Sequence, residues 1–284
     1  MESFKFINSN GKSITLDYTS DYIIESYDGL TASEIIPVST RGYRQNGYTR
    51  VNTNLGSRYI NINFYIYAES MVAFYEKRRK LASVFNPLLG EGTLIYTNDY
   101  TSKSIKGVVS VAPTPTNKMG SLQLFNIEIT CDNPLWFDNE ESAVKMGDFT
   151  GGLSYPLQFE GVGEKFAQKG DIANIKIVGD IPSPIRAEFR NESVNPVLTH
   201  MNTGNFIKVQ TTIEDNEKLI INTSYGNKTV EHIAADGTIE NAYHLMTLDS
   251  SFFSLDVGDN RLSFSGDAGT PEVYLYWRNY YVGV

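Results

Sequence analysis

Apolar residues recur at every second position through most of the chain. Phe4, Phe6, Ile14, Leu16, Tyr22 and Ile24 keep this spacing within their segments, the period of strands with one buried face. The clearest run is Tyr59–Tyr67. Ile60, Ile62, Phe64 and Ile66 fall on one face, and Tyr59, Asn61, Asn63, Tyr65 and Tyr67 on the other. The polar-aromatic face reads either as an inter-subunit surface or as a solvated face. Leu122–Cys131 alternates in the same way, with Phe125, Ile127 and Ile129 on the face to be buried. Cys131 shares that face, which makes it an inert core thiol rather than a reactive one. Thr93–Tyr96 and Ile105–Ala112 also read as strands. Pro113-Thr114-Pro115-Thr116-Asn117 reads as a loop, because two prolines remove two ladder donors.

One segment changes period. Met71, Phe74, Tyr75, Arg78, Leu81, Ala82 and Phe85 follow helical spacing, which predicts an amphipathic helix over 68–86 that ends at Asn86-Pro87. The Lys77-Arg78-Arg79-Lys80 run lies in its second half, as a solvated helix face or an anion site. Asn10-Gly11, Asp28-Gly29, Asn46-Gly47 and Asp236-Gly237 favour tight turns. The stretch 138–155 is polar and glycine-bearing, and it marks a domain boundary. Beyond it the sequence reads as strands at 156–160, 172–178, 184–190, 206–210, 218–222, 228–233, 243–248, 252–255, 260–265 and 272–277. Short strands at this density predict an antiparallel β-sandwich. The expected domains are therefore 1–137 and 138–284.

Charge sharpens this division. Residues 1–135 hold 13 Lys and Arg against 12 Asp and Glu, whereas residues 136–284 hold 11 against 21. The net charge of −9 argues against a nucleic acid as the main partner, since phosphate binding needs a cationic footprint. A single cysteine excludes an internal disulfide framework, and with three scattered histidines it excludes a cysteine-rich zinc site. The first residues lack a basic and then apolar leader, and no run approaches about 18 consecutive apolar residues. The expectation is a soluble chain made in a reducing cytoplasm, with no membrane partner.

Catalytic chemistry is not apparent. His200, His232 and His244 lack metal or catalytic spacing, and there is no nucleophile elbow and no P-loop. Gly161-Val162-Gly163 starts a dinucleotide-binding pattern that Phe166 breaks. The expectation is a non-enzyme without metal or cofactor. Two groups suggest binding instead. Tyr43, Arg44 and Tyr48, set among Gly42, Gly47, Arg41 and Arg50, form either an inter-subunit loop or an ordinary surface loop. Tyr274 and Tyr276 share one strand face and could meet a glycan or a partner, while Val273, Leu275 and Trp277 share the opposite face and read as core.

The order of segments along the whole chain resembles the distal tail protein family of long-tailed, non-contractile phages that infect Gram-positive bacteria. In the first half the resemblance is carried by Phe6-Ile7-Asn8-Ser9-Asn10-Gly11, Asp28-Gly29-Leu30, Arg58 ahead of the alternating strand, and Arg79 to Pro87. Cys131-Asp132-Asn133-Pro134-Leu135-Trp136 closes that half. In the second half it is carried by Gly170-Asp171-Ile172-Ala173, Ser183-Pro184-Ile185, Leu219 to Thr223, Ser250 to Leu255, Gly258-Asp259-Asn260 and Trp277 to Val284. The resemblance implies a mainly β fold. The N-terminal domain would be a tail-tube-like β-barrel or sandwich with one α-helix, and the C-terminal domain a galectin-like antiparallel β-sandwich. It also implies a structural virion protein at the tail tip, assembled in the host cytoplasm as a hexameric ring around a channel that DNA crosses. Such a ring joins the tail tube to the tail-associated tip protein and, in many relatives, to a receptor-binding protein. The competing expectation is a carbohydrate-binding module for host cell-wall glycans.

Overall fold

The computed structural model describes residues 1–31, 33–119, 122–146, 149–150, 168–169, 172–269 and 271–284. Among the described residues the chain is mainly β with one α-helix, as expected, and its sheets are sandwich-like rather than closed into a barrel. It divides into two compact units. The first is Met1–Asn139 together with Tyr280–Val284; the second is Glu140–Asn279. The last five residues thus return to the first unit, whereas the charge step alone places them in the second.

In the first unit, β1 (Ser3–Ile7), β2 (Ser13–Leu16), β3 (Tyr22–Asp28), β6 (Arg58–Tyr67), β7 (Glu91–Thr97), β8 (Ser102–Met119) and β9 (Leu122–Cys131) form one antiparallel sheet. Its order is β2-β1-β7-β8-β9-β6-β3. The buried faces are those the alternation predicts: Phe4, Phe6, Ile14, Leu16, Ile60, Ile62, Phe64, Ile66, Phe125, Ile127 and Ile129 share one core. Cys131 lies fully buried in it, and burial pushes its thiol pKa up to about 12 against the pull of the nearby Arg58 charge. β10 (Trp136–Asp138) pairs with the start of β8 at Lys103 and Ser104, and with the C-terminal strand Tyr280–Tyr281.

The 113–117 segment is not a loop. β8 continues through it, bulged between Val109 and Val111, Val111 and Thr114, and Pro115 and Lys118. The pairing of β8 with β7 ends at Val108, so beyond that point this edge of β8 is unpaired among the described residues. Proline is tolerated at edges and bulges because no ladder bond depends on its missing donor.

The helix α1 (Met71–Val84) starts at Ser70, whose hydroxyl accepts the Ala73 amide at 3.2 Å. At its other end Asn86 caps a short 3-10 turn, Pro87–Leu89. Phe74, Leu81 and Val84 are its buried residues, and Tyr75 is half exposed, so the buried stripe is narrower than the apolar pattern. The basic run divides. Lys77 pairs with Asp21 at 2.8 Å, while Arg79 and Lys80 flank an open cleft with Lys12.

Glu2 ties β1 to its neighbours. Its carboxylate accepts hydrogen bonds from Tyr27 at 2.7 Å, Tyr96 at 2.8 Å and Tyr18 at 3.4 Å. These bonds, that of Tyr27 foremost, hold the carboxyl below its ordinary value of 4.5. A carboxyl lowered in the folded state contributes stability above its unfolded value and loses it as pH falls through the folded value. Glu2→Gln is therefore expected to melt below the parent at pH 7, with the gap closing as pH drops under 4.5. A gap that stays constant from neutral to acid pH in thermal melts would refute this role.

The second unit is a two-sheet sandwich. One sheet runs β11 (Ser142–Met146), Glu272–Trp277, Ser183–Arg190, Lys218–Asn222, Thr229–Ile233, Ile239–Asn241. The other runs Ile172–Ile177, Gly258–Ser265, Val197–His200, Phe206–Lys208. Ala187, Phe189, Leu219, Ile221, Val273 and Leu275 from the first sheet meet Ile175, Ile177, Leu198, Ile207 and Leu262 from the second. Trp277 packs against this core on the face of Val273 and Leu275. Two expectations change here. The polar stretch after 138 contains β11, whose Met146 is buried. Residues 243–248 form a 3-10 turn, Tyr243–Leu245, instead of a strand. The expected strand at 156–160 lies outside the described residues.

Candidate functional site

The feature that the two packed cores leave unused is a β-hairpin. Among the described residues β4 (Ile35–Thr40) and β5 (Thr49–Leu55) pair only with each other, from Ile35 opposite Leu55 to Thr40 opposite Thr49. Every residue of both strands is exposed, including Ile35 at 65%, Val51 at 63% and Ile36 at 43%. The arm is anchored at its base by the Gly56 amide donating to the Glu34 carbonyl at 2.8 Å. A two-stranded hairpin with both faces in water is marginally stable by itself, so exposed β-branched residues on it are best explained by a surface that covers them.

The tip of this arm is Arg41–Tyr48, where the loop residues Tyr43, Arg44 and Tyr48 lie. The loop is internally braced. The Gly42 amide donates to the Gln45 side-chain oxygen at 2.9 Å, the Arg41 Nε to the Gln45 carbonyl at 3.0 Å, and the Gln45 Nε2 to Thr49 at 2.9 Å. Arg44 takes a positive φ of 60°. The rings stay outside this frame: Tyr43 is 92% exposed and Tyr48 71%. The Arg44 guanidinium lies 5.2 Å from the Tyr43 ring and Arg41 lies 5.7 Å from that of Tyr48.

Tyr274 and Tyr276 occupy the outer face of the Glu272–Trp277 strand, opposite Glu188 and Arg186 in register. Arg186 stacks over Tyr276 at 3.9 Å and Arg190 over Tyr274 at 4.5 Å. Between them Glu188 accepts a hydrogen bond from Arg190 at 3.0 Å, with Lys218 at 3.7 Å and Arg186 at 3.9 Å. Burial pushes the Glu188 carboxyl up, but the Arg190 hydrogen bond and the three cations together outweigh it and hold the carboxyl below its ordinary value. A guanidinium thus covers one face of each ring, the surface a sugar would use for stacking.

No catalytic or metal set emerges. Among the described residues no group of three or more His, Cys, Asp and Glu could hold a metal ion, and no helix is long and apolar enough to cross a membrane. His200 is buried between Thr203 at 2.7 Å and Asn260 at 2.9 Å, and His232 meets Glu217 at 3.0 Å.

Distant segments of the first unit meet at Arg58. Arg58, with no exposed surface, donates to the carbonyls of Gly29 at 2.7 Å, Leu30 at 2.8 Å and Pro134 at 2.8 Å, and to that of Val282. The Trp136 indole donates to the same Leu30 carbonyl at 3.1 Å. The Asp28-Gly29-Leu30 turn, Arg58, the Pro134–Trp136 strand end and the C-terminal residues are therefore one constellation.

Two family models match the chain: the phage tail protein RIFT-related domain over residues 9–131, and the siphovirus-type tail component, C-terminal domain, over 178–281. The chain belongs to the siphophage distal tail protein family. Solved structures share the fold over its whole length. The Dit (gp 19.1) protein of phage SPP1, described as a paradigm of the hub adsorption apparatus in phages that infect Gram-positive bacteria, superposes with a TM-score of 0.65. It does so at 9% identity over 98% of both chains. A chain of the phage P2 baseplate in its activated conformation with Ca gives 0.57 at 14% identity over 100% of both. Its counterpart with Sr gives 0.56. No curated protein sequence matches the chain. Both models describe components of a phage tail, and the shared fold with the SPP1 and P2 proteins agrees with that. In the sequence the Arg58 constellation is legible only as scattered residues, since nothing in the spacing says that they meet.

Proposed function

We propose that this distal tail protein forms a ring of six copies at the end of the tail tube, built by the first unit around a channel that DNA crosses. The ring joins the tube on one side to the tail-associated tip protein and receptor-binding apparatus on the other, after assembly in the host cytoplasm. The second unit faces outward and serves no catalytic step. The observation that carries this reading is the Ile35–Leu55 hairpin, whose strands pair with no other strand among the described residues and which presents exposed Ile, Val and Tyr side chains. Charge supports it. The first unit holds 13 basic and 13 acidic residues, so copies can pack without net repulsion, whereas the second holds 11 and 20. On this reading Tyr43, Arg44 and Tyr48 seat against a neighbouring copy. The Tyr274 and Tyr276 face, rich in paired Arg and Tyr, suits a protein partner.

Negative-stain imaging with mass measurement of the purified protein tests it. Six-fold rings are expected, and a strict monomer at every concentration would overturn the proposal. In a Tyr43→Ser, Tyr48→Ser double variant, light scattering should show the ring dissociating at concentrations where the parent remains assembled. An unchanged ring would remove the hairpin tip from the interface.

A further inference from the structure

The chain holds two Asn-Gly pairs, Asn10-Gly11 and Asn46-Gly47, and all four residues are exposed. An asparagine before glycine carries a latent reaction. The next backbone nitrogen can attack the side-chain amide, because glycine has no Cβ to block the approach. Whether it does so depends on that nitrogen being free and on the turn being able to bend. In other respects the two glycines are alike. Their φ angles are 75° at Gly11 and 79° at Gly47, with open space around both.

The first pair is held in place. The Gly11 amide donates to the Asn8 carbonyl at 2.9 Å. The Asn8 side-chain oxygen accepts from the Asn10 amide at 3.1 Å and the Lys12 amide at 3.0 Å. Asn8 is buried, and its Nδ2 donates to the Val84 carbonyl at 3.2 Å, which pins the turn to the end of α1. The second pair stands at the tip of the hairpin. The braces there end at Gln45 and resume at Thr49, so Asn46-Gly47-Tyr48 loops outside the frame. Among the described residues neither the Asn46 side chain nor the Gly47 amide has a hydrogen-bond partner. Arg41, Arg44 and Arg50 are the only charged residues from Ile35 to Leu55. A cationic neighbourhood favours the deprotonated nitrogen that attacks.

We propose that Asn46 is a self-modification site that deamidates through Gly47, whereas Asn10 is protected by its turn. Hydroxide takes the proton of the Gly47 amide, and the nitrogen bonds to Cγ of Asn46. The Cγ–Nδ2 bond breaks and ammonia leaves, closing a succinimide. Water then opens the ring at either carbonyl and the nitrogen regains a proton, giving aspartate or isoaspartate. Nothing is oxidised or reduced, and water is the only co-reactant. Each event puts the first negative charge on an arm that carries only arginines, and isoaspartate also lengthens the main chain by routing it through Cβ. The reaction does not require ring formation. On the ring reading it alters the surface that seats against a neighbour, so it sets a lifetime on unassembled copies.

Peptide mapping by mass spectrometry tests it, on dilute full-length protein held for several days at mildly alkaline pH, with fragmentation that separates isoaspartate from aspartate. Asn46 should convert about fivefold or more faster than Asn10, the handicap that one intact hydrogen bond imposes. In urea the two rates should draw together. Asn46→Gln and Gly47→Ala should each suppress conversion at the tip, with circular dichroism unchanged because both positions are exposed. Equal conversion of Asn10 and Asn46 in the folded protein would overturn the proposal, as would a preference for Asn46 that persists in urea. So would an Asn46 that stays intact while a synthetic peptide of residues 41–50 converts. If Asn46 converts and the aged protein still forms rings as well as protein kept equally long at mildly acid pH, the site stands and the tip falls out of the ring interface.

Discussion

Arg58→Ala is expected to destabilise the first unit by about 4 kcal/mol, a large fraction of what holds a domain folded. The guanidinium is fully buried. It is held by the carbonyls of Gly29, Leu30, Pro134 and Val282. Burial lowers its pKa, and the carbonyl dipoles keep it charged in place. Removing it orphans several buried acceptors at once and leaves a hole between the turn after β3, the end of β9 and the C-terminal residues. Arg58→Lys should recover only part of the loss, since one ammonium cannot span four carbonyls in a planar fork. Trp136 reports on this unit, so urea unfolding followed by its fluorescence in a Trp277→Phe background gives the measurement. A loss under about 1 kcal/mol would mean that water or a neighbouring side chain takes over the carbonyls.

Gly29→Ala should cost about 2–4 kcal/mol in the same unit. Two separate penalties combine at this position. Gly29 has a φ of 91°, in the left-handed region that a side chain disfavours, and a Cβ there would come within 2.0 Å of the Tyr59 carbonyl oxygen. That oxygen belongs to β6, which is paired on both sides, so it cannot move aside without disturbing the ladder. Gly11→Ala separates the two effects. Gly11 has a φ of 75° with open space around it, and its substitution should cost about 1 kcal/mol. Equal costs at the two glycines would rule out the close approach as the cause. Because the Gly29 carbonyl accepts from Arg58, the double variant with Arg58→Ala should lose less than the sum of the single losses.

These two residues show where reading the chain reaches its limit. The alternation of Tyr59–Tyr67 fixes which residues of β6 are buried, because a strand with one wet face must repeat every two residues. It says nothing of Arg58 one position earlier, whose charge makes it read as surface. Asp28-Gly29 reads as a hairpin turn, but the glycine is required by contact with a strand about thirty residues on. Pro113 and Pro115 read as strand breakers, and are tolerated because the β8 edge beside them is unpaired, which depends on where β7 ends. Ser142–Met146 looks like linker because its polarity hides a strand whose pairing partner is at the far end of the sequence.

The site residues follow the same division. Glycines, arginines and tyrosines in 41–50 mark a loop that presents rings, and the tip of the hairpin is that loop. Tyr274 and Tyr276 share a strand face as the period of two requires. That guanidinium groups cover them was decided by the neighbouring strand, which brings Arg186 and Arg190 alongside. The two Asn-Gly pairs are equal in sequence, and only the fold ties the amide of Gly11 and leaves that of Gly47 outside the braced loop.

By itself the sequence determined the periodic features: the β class, the helix, the buried faces of the strands and the charge step. Local spacing dictates each of these. Tertiary structure alone decided what depends on partners distant in the chain. It set the return of Tyr280–Val284 to the first unit, the burial of Arg58 among backbone carbonyls and a hairpin whose strands, among the described residues, pair only with each other. The physical reason is that a buried hydrogen bond or a covered apolar face is a property of two surfaces, and a pattern along one segment describes only one of them.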